Sequence, residues 1–138
     1  SSDLTSVRAI IIKDNKILTL KRELGNTVYW TFPGGHIEKT DKDGIEALKR
    51  ECMEEVNVNI KVGDKIFEQD FRGNMNYFYL CTFVKGEVSQ GYGPEYTNPE
   101  QYEGTHSPEW IDIGSLKKYD LRPHELRDKI LRKIKNRL

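Results

Sequence analysis

PGGHIEKTDKDGIEALKRECMEEVNV, residues Pro33 to Val58, is the stretch on which the reading of this chain turns. Pro33-Gly34-Gly35 must end whatever strand precedes it, because proline lacks a backbone donor and glycine favours turns. Beyond a further loop, Ile45, Leu48, Cys52 and Val56 recur at helical spacing, which predicts a helix from about Asp43 to Val56 with Thr40, Asp41 and Asp43 as candidate N-caps. With Glu51 set at zero and about 100° per residue, Glu55 falls near +40° and Glu54 near −60°. The apolar stripe occupies the arc from roughly 60° to 140° on the same wheel, so the glutamates begin where that stripe ends rather than on the opposite, solvated face.

Three carboxylates within one short arc can converge on a single point and suit a hard cation. The helix gains nothing from them. Glu51 and Glu55 are like charges at i, i+4, a destabilisation of about 0.2–0.5 kcal/mol. Negative charge near a helix C-terminus opposes the helix dipole by roughly 0.3–1 kcal/mol. A local conflict of this kind points to function.

The 138 residues suffice for one domain with a real core, and a single domain spanning 1–138 is expected. Lysine plus arginine and aspartate plus glutamate both total 22, so no overall field recruits nucleic acid or an anionic membrane. Apolar runs are only a few residues long, far below a membrane span. Cys52 and Cys81 fall within apolar patterns on different elements and read as buried free thiols, which suits a cytoplasmic protein. The N-terminal stretch lacks the basic start and long apolar core of a secretory signal.

Outward from the motif, Leu4 to Lys13 and Ile17 to Lys21 read as strands of a hairpin turned at Asp14-Asn15. Val28 to Phe32 reads as a short aromatic strand. Downstream, Val58 to Phe71 and Asn74 to Val84 form a second predicted hairpin around Arg72-Gly73. Lys85 to Thr105 is polar and glycine-rich, long for a connection in a compact domain, and therefore a place to look for function. Glu109 to Ile113 is predicted as a short strand. Pro123 opens a terminal helix to about Asn136, with Leu126, Ile130, Leu131 and Ile134 facing inward.

Taken in full, Gly35, Asp41 and Arg50-Glu51-Cys52-Met53-Glu54-Glu55-Val56-Asn57-Val58 resembles the signature of the Nudix hydrolases, the MutT-like family; Trp30-Thr31-Phe32-Pro33-Gly34 also suits it. Asp41 stands where that pattern has a glutamate, eight residues rather than seven separate it from Arg50, and Asn57 replaces a glycine. None of these departures touches the three glutamates. The extra residue lies before the helix, where a loop absorbs it, and asparagine is the next-best residue to glycine for a left-handed C-cap.

The resemblance implies an α/β fold, an α/β/α sandwich around a mixed β-sheet. It implies hydrolysis of a nucleoside diphosphate linked to another group X, with Mg²⁺ or Mn²⁺ held by Glu51, Glu54 and Glu55 and a backbone carbonyl from Gly35. Glu51 and Glu54 are carried over as catalytic residues and Arg50 as the orienter of the carboxylates; which glutamate serves as base varies within the family. Chemistry supports the assignment independently, since cations neutralise a diphosphate and the attacking water needs no nucleophilic side chain. No proline stands about fifteen residues beyond the motif, the hint associated with ADP-ribose enzymes. Tyr77 and Tyr79 match the dinucleoside-polyphosphate hint only loosely, which leaves a mild preference for nucleoside triphosphates, oxidised ones included.

Arg22 ends the second predicted strand near the turn and is a candidate for a phosphate contact. In the long loop, Glu95 is the candidate for an additional acidic group, and Tyr92 and Tyr96 for a stacking surface. His36, His106 and His124 show no metal spacing and read as surface or locally bonded. The partner expected is a small nucleotide, with the chain a monomer or homodimer. The alternative is a Nudix-like module that binds a nucleotide without turning it over.

Overall fold

A computed structural model describes residues 5–89 and 105–135. The elements are β1 (Ser6–Lys13), β2 (Lys16–Leu24), β3 (Thr27–Thr31), β4 (Gly34–His36), α1 (Gly44–Val56), β5 (Asn59–Phe71), β6 (Asn74–Lys85), β7 (Thr105–Asp112), a 3₁₀ turn (Ile113–Lys118) and α2 (His124–Lys135). Both predicted hairpins form. Asp14 and Asn15 take φ of 52° and 62°, and Arg72 and Gly73 take 54° and 86°, the paired positive values that match a two-residue turn to strand twist.

The sheet runs β3-β2-β1-β6-β5, with β7 added along β2 and β4 along β1. It is mixed, because β1 pairs β6 in parallel from Ser6 to Ile12 while its other pairings are antiparallel. The other edge of β1 is shared: Ile12 and Lys13 pair β2, whereas Ser6, Val7 and Arg8 pair β4. The chain therefore changes partner at Pro33, leaving β2 through β3 and re-pairing with β1 through β4. Pro33-Gly34-Gly35 ends one strand, as its composition predicts, and Gly34 also starts another.

Alternation along β1 sorts two cores. Val7, Ala9 and Ile11 pack with Leu48, Cys52 and Val56 of α1, while Ile10 packs with Phe32, Phe78, Leu121, Leu126 and Ile130 on the side of α2. This is the α/β/α sandwich. Cys52 and Cys81 are buried free thiols, and burial pushes the Cys81 thiol up to about 12.

Three sequence expectations are corrected. Ile45 is 43% exposed, and Ala47 takes its place in the core. Helical spacing identifies a face but not how far the sheet extends beneath the first turn. β7 begins at Thr105, four residues earlier than Glu109, because its polar first half, with Pro108, lies along β2 on a strand that pairs no other strand among the described residues. Phe32 lies past the end of β3 yet is fully buried. The Ile134 side chain lies outside the described residues.

Candidate functional site

The turn at Gly34 is possible only for glycine. Its φ is +149°, and a Cβ there would stand 2.1 Å from the Val7 carbonyl oxygen. Gly34 then pairs Arg8, Gly35 pairs Val7 and His36 pairs Ser6, laying β4 beside the face of α1 that carries the glutamates. Gly34 donates its N–H to Glu55 Oε1 at 2.9 Å, and Glu55 is buried. Gly35 passes so close to Glu51 that a Cβ would sit 2.6 Å from its carboxyl carbon.

Helix α1 is held at both ends. The Asp43 side chain, the one candidate cap that serves, accepts from the Glu46 N–H at 2.9 Å. Asn57 takes φ 60°, and its N–H reaches the carbonyls of Cys52 and Met53, the left-handed termination for which asparagine substitutes for glycine.

Arg50 organises the acidic cluster. Its Nε donates to Asp41 Oδ1 and its Nη2 to Asp41 Oδ2, both at 2.9 Å. Its Nη1 lies 3.1 Å from Glu51 Oε1 and 3.1 Å from Glu54 Oε2. The side chain of Asp41 is only 5% exposed, and the Arg50 hydrogen bond holds its carboxyl below the usual range. The shorter aspartate and the extra loop residue thus still deliver a carboxylate to the guanidinium fork.

Glu51, Glu54 and Glu55 share a cleft of about 330 Å³ with Gly34, Gly35 and Glu38. Strands β1, β2, β3 and β7 add Arg8, Arg22, Tyr29, Thr31 and His106. His106, Arg22 and Tyr29 form one row across β7, β2 and β3, Arg22 being the register partner of both others. Arg22 Nε donates to the Thr105 carbonyl at 3.2 Å. Burial, then Arg22 and Arg8, lower the His106 imidazole to about 4, so it is neutral at neutral pH.

The structure thus brings Glu51, Glu54, Glu55, Gly35, Arg50 and Arg22 together. Glu95, Tyr92 and Tyr96 lie outside the described residues. His36 and His106, read as surface or locally bonded, also line the cleft, His36 being exposed with its Nδ1 2.9 Å from Ser6 Oγ. Arg8 and Tyr29 were not singled out from the sequence. A signal for Arg8 was present, in a charged residue occupying a strand position in line with Ile10 and Ile12. Among the described residues, no three histidine, cysteine or acidic side chains converge as a ready-made metal cage. Glu55 is turned to Gly34, and Glu51 and Glu54 share an Arg50 nitrogen.

A helix lined with carboxylates and a glycine strand against it face arginines across the cleft. The NUDIX domain family model matches residues 3–133, and the chain belongs to the Nudix family, as a pyrophosphohydrolase. Among solved structures, it is similar to the Escherichia coli ORF135 protein, at 24% identity over 87% of this chain and 81% of that one, with a TM-score of 0.61. It is also similar to MutT of Aliivibrio salmonicida and Vibrio cholerae, at 21% identity over 95% and 98% of the two chains, TM-score 0.68. A third is an ADP-ribose pyrophosphatase of Streptococcus suis, at 18% identity over 81% and 75%, TM-score 0.59. These likenesses concern the fold. No curated protein sequence gives a match.

Proposed function

We propose that this chain, as a single Nudix domain, hydrolyses a diphosphate linkage in a nucleoside diphosphate joined to a group X, using Mg²⁺ or Mn²⁺. The observation that carries the reading is the packing of Gly34 and Gly35 against the carboxylates of Glu55 and Glu51, beside a clamped Arg50. Oxygen donors alone suit a hard cation, and Mg²⁺ is commonly bound by one or two carboxylates, waters and substrate phosphates rather than by a closed protein cage. The absence of Cβ at Gly35 brings main chain within reach of an ion on Glu51. These features fit the metal.

Glu51, Glu54, Glu55 and the Gly35 carbonyl would hold the cations, which supply neutralisation of the phosphates and acidification of a bound water. Glu51 or Glu54 orients the attacking water and takes its proton. Arg50, fixed by Asp41, keeps those carboxylates aimed into the cleft, and Arg22 faces the phosphates from β2. Products are a nucleoside monophosphate and either X-phosphate or pyrophosphate, with nucleoside triphosphates, oxidised ones included, the preferred class. No helix among the described residues is long and apolar enough to cross a membrane, and the buried free thiols suit the cytoplasm.

The test is release of phosphate or pyrophosphate from a nucleotide panel with Mg²⁺ or Mn²⁺. Turnover is expected for at least one member and is expected to fall by orders of magnitude in Glu54→Gln with the fold intact. Tight, metal-independent binding without turnover of any member would instead favour a nucleotide-binding module.

A further inference from the structure

Strand β1 ends in Lys13 and β2 begins in Lys16, and the two are register partners across the Asp14-Asn15 turn. Both continue the series that faces α1: Val7, Ala9 and Ile11 precede Lys13 at alternate positions, and Leu18 and Leu20 follow Lys16. Like charges directly opposite one another on one face of a sheet oppose its pairing. The hairpin gains nothing from them, and a local conflict of this kind points to function. Neither lysine takes part in an ion pair among the described residues.

The two lysines line a cavity of about 310 Å³ together with Asp14, Phe83, Gly86, Val88 and Trp110. The Phe83 and Trp110 rings meet edge to face with centroids 6.2 Å apart, and the Lys13 ammonium stands 4.2 Å from the Phe83 centroid. Both rings and Val88 pack against the α1 core and are only partly buried there. The Gly86 to Val88 wall is fastened to the end of α1: Asn57 Nδ2 donates to the Glu87 carbonyl at 3.1 Å, and the Ser89 N–H to the Val56 carbonyl at 3.3 Å. Gly86, at φ +124°, runs so close that a Cβ would stand 2.5 Å from the Asn57 carbonyl oxygen. This cavity shares no lining residue with the carboxylate cleft. Along β1, Lys13 lies roughly 17 Å beyond Arg8, which lines that cleft.

Two ammonium groups against the one carboxylate of Asp14 leave a single positive charge, which a monoanion balances. The partly exposed rings and Val88 suit a flat apolar body, and the volume, at the small end for ligand pockets, holds one or two fused rings. We propose that this cavity is a second ligand site, for a planar aromatic carboxylate, with the ring system against Trp110, Phe83 and Val88 and the carboxylate between Lys13 and Lys16. The site stands apart from the diphosphate reading, and its test uses no divalent metal and reads no turnover. Trp30 and Trp110 are the two tryptophans of the chain and pack in the cores on opposite sides of the sheet, so their indole N–H signals report separately in ¹⁵N NMR. Wild type and the double variant Lys13→Gln, Lys16→Gln are titrated with 2-naphthoate, neutral 2-naphthalenemethanol, acetate and adenosine monophosphate.

In wild type, 2-naphthoate is expected to move the Trp110 signal saturably at or below millimolar concentration and to move it further than that of Trp30. The neutral alcohol is expected to bind at least threefold more weakly, acetate to leave Trp110 unmoved, and the double variant to lose at least threefold in naphthoate affinity. No saturable Trp110 shift, or an equal or larger one at Trp30, overturns the site. A smaller loss in the double variant, or a smaller gap between naphthoate and the alcohol, removes the lysines from it. An acetate shift as large as that of naphthoate shows an anion site without ring recognition and overturns the aromatic assignment. Tighter binding of adenosine monophosphate than of naphthoate, read at Trp110, makes the site one for phosphate and overturns the carboxylate. Both lysines are exposed beside a turn, so the double variant is expected to keep the wild-type fold, checked by its remaining amide signals. Should it not fold, the naphthoate, alcohol and acetate series on wild type decides by the same criteria.

Discussion

Asp41 takes two arms of the Arg50 guanidinium, Nε and Nη2, each at 2.9 Å, and so leaves the third nitrogen to stand between Glu51 and Glu54. The pair joins the loop after β4 to the middle of α1. Asp41→Ala removes two charge-assisted bonds, each worth about 1.5–3 kcal/mol, and frees Arg50 to collapse onto the glutamates. At about 1.4 kcal/mol per factor of ten, kcat is expected to fall roughly tenfold to a hundredfold. Steady-state kinetics beside a circular-dichroism melt checks this; an unchanged kcat would show that Arg50 needs no orienter.

The adjacent glycines separate stability from activity. Gly34→Ala forces φ +149° on alanine and drives Cβ onto the Val7 carbonyl, so a loss of about 2 kcal/mol or more is expected in urea unfolding. In Gly35→Ala the clash is with the Glu51 carboxylate, the movable end of a side chain. That variant is expected to melt near wild type while losing at least tenfold in kcat.

Glu55 has a structural duty in addition to its proposed one. Glutamine keeps an acceptor for the Gly34 N–H, whereas leucine leaves that buried donor unsatisfied, at about 1–3 kcal/mol. Glu55→Leu is expected to be less stable than Glu55→Gln by that amount in chemical denaturation, and both to lose turnover.

His106 is expected to titrate near 4 by imidazole NMR, well below its ordinary 6.5, because burial and the two arginines oppose its charge. The folded value lies below the unfolded one, so the unfolded chain takes up the proton first. The contribution of His106 to stability is therefore present above pH 6.5 and lost as the pH falls toward about 4. His106→Gln is expected to flatten that part of the stability profile.

The helix and its glutamates were legible because both signals, a 3.6-residue apolar period and an acidic cluster at its border, are local. The hairpins were legible for the same reason, in Asp14-Asn15 and Arg72-Gly73. Pairing between distant segments was not. Nothing near Arg8 announces that Gly34 and Phe78 will flank it, and nothing near His106 announces Arg22 as its cross-strand neighbour. Thr105 to Pro108 did not read as strand because an edge with no further strand among the described residues tolerates proline and polar side chains, the features that ordinarily mark a turn. Asp41 was matched to the motif by position, but the two-armed grip on Arg50 depends on how the loop folds back.

The third arm of Arg50 gives the acidic cleft a resident counter-ion. Glu51 and Glu54 consequently do not wait as bare, mutually repelling charges, and the folded chain can hold them together before any ligand arrives. On the proposed assignment, loading a divalent ion is an exchange with a tethered guanidinium rather than the filling of a vacancy. The ion is then drawn in most strongly when a diphosphate arrives with it, which ties occupancy of the cation site to the presence of something to cleave.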